Sequence, residues 1–315
     1  MVMPLMLCLP EILSILGKLS ENFEFHGHVN EGPFKPASLL NVIDNGIYYD
    51  THGKYSVASF NHSIVFLDTA RPSGNNLLIV TANPQLAYYK FLELAFKPKP
   101  QIGIHPTAIV DSNAKIHPSA YVGPFCVVED AVIGANAKLH SSVTIMKHCS
   151  VGEGSEIEAN TVVGATGVVW CWDAVNNRRV YPPQLGGVKI GSNCFIGSNI
   201  SIVRGSINEM TLIDDGVVMA HGTKIGHGSQ IGKECHLANN VTIGGNVEIG
   251  ARSFLGSGCI LRPGAKLGNK TTVGCGTVVL EDFLDAGLTL VGVPARILQS
   301  NSKVRMTGVP DIRSM

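Results

Sequence analysis

Residues 225–250 read IGHGSQIGKECHLANNVTIGGNVEIG. An aliphatic side chain returns every six positions, at Ile225, Ile231, Leu237, Ile243 and Ile249. Side chains recur every 3.6 residues on a helix and every 2 on a flat strand, so neither alone generates a rule of six. The register extends from Ile213 through Met219 to Leu255, Leu261, Leu267, Val273 and Val279. An earlier block runs from Ile104 to Val163, with one short step between Val128 and Ile133, and a third holds Ile190, Ile196 and Ile202. Glycine often follows the aliphatic residue, as at Gly226, Gly232, Gly244 and Gly250. A small residue stands two positions before it, as at Thr223, Ser229, Cys235, Val241 and Val247.

Self-similarity at a fixed period marks a solenoid, in which each unit is stable only against its neighbours. Here the pattern predicts a mainly β fold, a left-handed parallel β-helix over residues 101–285. Each short strand ends at a corner, and the aliphatic and small side chains fill a narrow triangular interior. Glycine after the aliphatic residue is expected to relieve the corner backbone. Cys126, Cys149, Cys194, Cys235 and Cys259 all fall two before an aliphatic position and read as small core residues. There is no C-x-x-C pair among the eight cysteines, so no metal is expected and the compartment reads as reducing and cytoplasmic.

Residues 1–100 lack the repeat. A helical segment from Glu11 to Lys18, β-like runs at 63–67 and 77–80, a helical stretch at 85–96 and a KPKP linker at 97–100 predict a small α/β domain. Residues 165–189, ATGVVWCWDAVNNRRVYPPQLGGVK, break the register and hold both tryptophans. An irregular loop of that length reads either as a flap over a substrate cleft or as a surface and subunit-contact loop. Residues 286–315 read as a C-terminal tail. Lys plus Arg and Asp plus Glu are each 24, so no basic face for nucleic acid is implied. Pro4, Pro10 and Glu11 interrupt the apolar N-terminus, which argues against a secretory leader. No stretch reaches the roughly 18 apolar residues of a membrane span.

The stretches NPQLAYYKFLELAF (83–96), VVGATG (162–167), QLGGVKIG (184–191) and IVRGSIN (202–208), in this order and spacing, resemble the UDP-3-O-acylglucosamine N-acyltransferases of lipid A biosynthesis. The resemblance implies that IYYDTHGKY (47–55) carries a uracil-stacking pair, Tyr49 and Tyr55. It implies that His227 is the general base, since imidazole titrates near neutral pH and can take the proton of an attacking amine. His221 stands at the family's Asn position and is assigned to substrate binding.

Departures accompany the likeness. A second functional His of that family falls at Gly264, its loop-entry Asp and Phe become Thr166 and Val168, and its C-terminal helical extension is replaced by LVGVPARIL (290–298). That ending is similar to acetyl-CoA-dependent hexapeptide transferases. In the subgroup acting on UDP-bacillosamine-type sugars two His stand nine residues apart, as His227 and His236 do. Gly228 stands where that subgroup places an acidic or polar residue after the base. His236 is thereby assigned to the acetyl-CoA site, and Gly244 with nearby N–H groups to the oxyanion.

The expectation is a homotrimeric, cytoplasmic N-acetyltransferase that moves acetyl from acetyl-CoA to the amine of a UDP-linked amino sugar, a 4-amino-4,6-dideoxy-GlcNAc nucleotide being the foremost candidate. The alternative is an acyl-carrier-protein-dependent N-acyltransferase of lipid A type. A γ-carbonic-anhydrase-like hydratase lacks its third ligand, because position 241 is Val. A non-catalytic solenoid is the remaining reading.

Overall fold

A computed structural model describes residues 6–51, 59–97 and 101–298. The chain divides into two compact units, 1–100 and 101–315.

The first unit is a five-stranded sheet with two helices. Helix α1 (Leu9–Leu16) begins where the Cys8 N–H donates to the Glu11 carboxylate at 2.8 Å, with Pro10 in the first turn. Strands β1 (Glu24–Gly27), β2 (Lys35–Pro36), β3 (Gly46–Asp50), β4 (Ile64–Leu67) and β5 (Leu77–Val80) lie in the order β1-β5-β4-β3-β2. Only β1 runs antiparallel to its neighbour. Helix α2 (Pro84–Phe96) starts at Asn83, whose side-chain oxygen accepts the Leu86 N–H at 3.1 Å. Ile12, Leu16, Phe34, Ile47, Ile64, Phe66, Ile79 and Phe91 close one core between helices and sheet. This is the small α/β domain the sequence predicts.

The second unit is a three-walled β-helix with parallel walls of nine, eight and eleven strands, apart from one antiparallel closing strand. Ile225 pairs with Ile243, and Ile243 with Leu261, so one circuit takes eighteen residues, three hexads. Ile225, Ile231, Leu237, Ile243 and Ile249 are all buried, as are Thr223, Ser229, Cys235, Val241 and Val247. Two-residue strands survive because each wall stacks coil on coil around one continuous core. The five cysteines assigned to the interior are buried free thiols, and burial pushes those of Cys235 and Cys259 up to about 12.

Gly226, Gly232, Gly244 and Gly250, which follow aliphatic positions, do not take up the left-handed backbone. Positive φ recurs two residues later, at Gly222, Gly228, Glu234, Asn240, Asn246 and Arg252. Gly226 serves close stacking instead: a Cβ there would come within 2.5 Å of Gly244 carbon in the next coil. Residues 289–297, placed by sequence in a tail, extend the eleven-stranded wall. Strand Thr289–Val291 pairs with Thr272–Val273, and Arg296–Ile297 folds back antiparallel upon it. Nor is segment 165–189 without structure: Cys171–Asp173 and Arg178–Val180 form an antiparallel hairpin. Among the described residues no helix is long and apolar enough to cross a membrane.

Candidate active site

His227 lies in the corner that follows strand Lys224–Ile225 of the nine-stranded wall and precedes Gln230–Ile231 of the eight-stranded wall. The imidazole is half-buried against the coil that follows. A Cβ on Gly245 would fall 2.5 Å from His227 Nε2 and 2.9 Å from Cδ2 and Cε1, so the ring occupies the space a side chain would take. The corner backbone is held on both sides. The His227 carbonyl accepts the Asn246 N–H at 2.7 Å. Gly228 N–H donates at 2.9 Å to Thr211 Oγ1, which donates at 2.6 Å to the Val203 carbonyl. Gly228 has φ +66°, and a Cβ there would meet the Asn246 side-chain oxygen at 2.2 Å. A side chain at 228 would have to displace the Asn246 amide, although Glu234 takes the same left-handed backbone at the next corner.

The carboxylate near His227 comes from another coil. Glu209 accepts the Ile207 N–H at 2.9 Å, and that bond holds its carboxyl below the usual range, with a smaller contribution from His227. The turn that presents Glu209 is tight: a Cβ at Gly205 or Gly186 would collide with the Glu209 carbonyl.

Gly244 cannot serve the oxyanion as expected, because its N–H donates to the Leu261 carbonyl at 3.0 Å. The neighbouring Gly245 N–H, beside the His227 ring, finds no acceptor among the described residues. Sequence reasoning missed Gly245, Thr211 and Glu209. The one legible signal was the doubled glycine, Gly244-Gly245, at a corner where one suffices elsewhere.

The other histidines lie apart from His227 within the chain. His221 follows Met219 of the eleven-stranded wall, at a different edge. Its Nδ1 accepts the Ser198 N–H at 2.9 Å and lies 2.8 Å from Ser198 Oγ, which makes it a lock between coils. His236 is not on a corner. It sits on the outer face of strand His236–Leu237, between Val218 and Phe254 in register, with its ring 5.3 Å from that of Phe254. Burial pushes its pKa below the usual imidazole value. These placements do not assemble a three-His metal centre. The one cluster of three potential metal ligands among the described residues is His140, Glu156 and Glu158, where Glu156 also binds Lys138 at 3.2 Å.

In the first unit, Tyr49 packs on Tyr88 at 5.3 Å and edge-on to Tyr89 at 5.7 Å. Tyr49 and Tyr88 line a groove of about 530 Å³ with Pro36, Ala37, Ser38, Leu39 and Leu40. Burial drives the Tyr88 hydroxyl up to about 12, and it donates to the Ile47 carbonyl at 3.2 Å. Tyr55, the other half of the expected pair, lies outside the described residues.

Comparison with known proteins agrees with this architecture. Residues 130–165 and 228–263 match the family described as bacterial transferase hexapeptide (six repeats). Residues 187–208 and 246–281 match the hexapeptide repeat of succinyl-transferase. The chain is 34% identical over 169 residues to UDP-3-O-acylglucosamine N-acyltransferase of Coxiella burnetii, covering 45% of this chain and 49% of that protein. The same enzyme of Saccharophagus degradans is 34% identical over 207 residues, covering 58% and 60%. The match thus spans about half the length of these curated relatives. Among solved structures, LpxA from Acinetobacter baumannii superposes with a TM-score of 0.56 at 29% identity, covering 62% of this chain and 73% of that one. The chain is a hexapeptide-repeat protein related to the UDP-3-O-acylglucosamine N-acyltransferases.

Proposed function

We propose that the protein is an N-acyltransferase that moves an acyl group from a thioester to the amine of a UDP-linked amino sugar, with His227 as general base. The observation that carries the reading is the placement of His227 over Gly245, beside an N–H that has no acceptor among the described residues. The amine nitrogen attacks the thioester carbon and forms the C–N bond while His227 takes the amine proton. The Gly245 N–H donates to the developing oxyanion, a role in which a preorganised donor is worth more than in water. As the C–S bond breaks, the protonated imidazole returns the proton to the leaving sulfur. Glu209 favours the transient imidazolium by charge.

The names of the relatives support the lipid A type of N-acyltransferase, and the donor assigned with that reading is an acyl-carrier-protein thioester in place of acetyl-CoA. Exposed Leu185, Ile207 and Met210 lie on the segments around Glu209 and supply apolar surface for an acyl chain. The acceptor's uracil is assigned to the Tyr49 groove, and the reaction to the cytoplasm.

The reading includes a homotrimer. Outward positions of the eight-stranded wall include Lys189, Gln230, Glu248 and Lys266. Those of the other two walls include Val127, Thr144, Val162, Lys224, Thr242 and Ile260, and Lys138, Glu156, Phe195, Val218 and Phe254, a smaller share of charge. Copies packed through the two less charged walls leave the charged wall in water. Such packing sets the His236 wall of one copy against the His227 edge of the next.

The test follows free thiol released from acyl-acyl-carrier proteins of several chain lengths and from acetyl-CoA, with UDP-amino sugars as acceptors. Turnover with acyl-carrier-protein donors, lost by about 10²–10⁴-fold in His227→Asn, is the expected result. Turnover with acetyl-CoA alone replaces the donor assignment. Unimpaired turnover in His227→Asn removes the base. Light scattering that gives a monomer's mass sinks the trimer.

A further inference from the structure

Arg204 is 4% exposed, yet among the described residues no carboxylate lies within ion-pair distance of it. Its guanidinium faces backbone carbonyls instead. Nε donates to Gly164 at 3.0 Å, Nη2 to Lys147 at 2.6 Å and Nη1 reaches Gln184 at 3.5 Å. Burying a charge is unfavourable unless hydrogen bonds replace its hydration, so this arrangement persists only while all three carbonyls stay in place.

Two of those carbonyls are the two roots of the hairpin excursion. Gly164 ends the coil before it, and Gln184 precedes the return strand Gly187–Ile190. The backbone of Arg204 adds a tie at the entry, its N–H donating to Ala165 at 3.0 Å. Gly164 has φ +90°, and a Cβ there would fall 2.5 Å from Cys149 Sγ and 3.5 Å from Arg204 Nη2, so the guanidinium and thiol fill its missing side chain. The third carbonyl, Lys147, belongs to the coil beneath. The same segment continues to the base: Val203 accepts from Thr211, which accepts from Gly228, the residue after His227. On the exit side, Leu185 N–H donates to Ser206 at 2.7 Å, in the turn that presents Glu209.

We propose that Arg204 is a positioning residue: it pins both roots of the 165–186 excursion to the segment that fixes the His227 corner, so that hairpin and base hold one relative pose. This rests on the reading of His227 as the base, and concerns what keeps an exposed hairpin in register with it. A guanidinium presents donors in a fixed planar fork and can span three carbonyls, whereas a lysine ammonium is a point charge.

The protein carries its own reporter, because its two tryptophans, Trp170 and Trp172, both lie in this excursion and Trp170 stacks under the Arg179 guanidinium at 4.7 Å. Acrylamide quenching of tryptophan fluorescence, and tryptic cleavage after Arg178 or Arg179 mapped by mass, are measured in wild type, Arg204→Lys and Arg204→Met. Temperatures are kept well below each melting point. Expected are a severalfold rise in quenching and at least tenfold faster hairpin cleavage in Arg204→Met, with an intermediate change in Arg204→Lys. Acyl transfer should show a fall in kcat of tenfold or more in Arg204→Met while the form of the pH profile is kept.

Unchanged quenching and cleavage overturn the clamp. If Arg204→Met does not fold, the same two readouts in Arg204→Lys decide between clamp and no clamp. A loosened hairpin with unchanged kcat overturns the link to the base. Failure of the acyltransferase reading shows separately, as a wild-type protein without transfer activity whose fluorescence still responds to the variants.

Discussion

The imidazole of His227 rests where a side chain of Gly245 would be, with Nε2 only 2.5 Å from the position of the absent Cβ. One residue thus decides where the other points. Gly245→Ala must push the ring off the corner or shift one coil against the next. Overpacking of this kind costs about 1–3 kcal/mol in stability, and a misplaced catalytic group about 10²-fold in rate. The expected outcome is a folded protein whose turnover falls by about 10²-fold, with little change in acceptor binding. Wild-type turnover in Gly245→Ala places the reacting amine elsewhere than at His227.

His236 carries a pH prediction for stability. Burial lowers its pKa in the folded state below the usual 6.5, and its neighbours in register are Val218 and Phe254. Between the folded and unfolded values the unfolded chain binds more protons, so stability rises with pH there and falls as pH drops through 6.5. His236→Gln removes that titration. The variant's melting temperature should fall less steeply than wild type from about pH 7 towards about pH 5. Parallel curves for the two proteins rule the assignment out.

The thiols divide by burial. Cys171 and Cys275 are exposed, Cys8 is half-buried and the other five are buried. Only a thiolate attacks a disulfide reagent, and a thiol pushed up to about 12, as at Cys235 and Cys259, offers almost none at about pH 8. A chromogenic thiol reagent should titrate two groups quickly in the native protein and all eight after denaturation. Rapid native labelling of Cys235, read by peptide mass, contradicts a dry, close-packed interior.

Tyr49 offers the test of nucleotide recognition. Its ring leans on Tyr88, whose hydroxyl is tied to the Ile47 carbonyl, so Tyr49→Ala removes a groove wall and leaves its support. Base–aromatic stacking is worth about 1–3 kcal/mol. UDP affinity, measured by calorimetry, should weaken about tenfold or more while donor KM is unchanged. Equal UDP affinity in both proteins moves the uracil to another surface.

The sequence by itself determined the solenoid, the burial of Cys126, Cys149, Cys194, Cys235 and Cys259, and the α/β character of the N-terminal unit. These are readable because each depends on a local rule repeated many times: every hexad must place an aliphatic and a small side chain inward, or its coil does not stack. What only the tertiary structure decided depends on relations between coils. Eighteen residues make one circuit, so the nine residues from His227 to His236 are half a circuit and take the two rings to opposite sides of one chain. The same stacking directs the Gly244 N–H into the ladder and leaves the Gly245 N–H beside the imidazole. It sets Thr211 beneath Gly228, seventeen residues away, and Arg204 between loop roots on either side of the hairpin. A linear period specifies which side chains face inward. Which donor finds an acceptor, and which ring finds a vacant Cβ, is settled by the coil lying above or below.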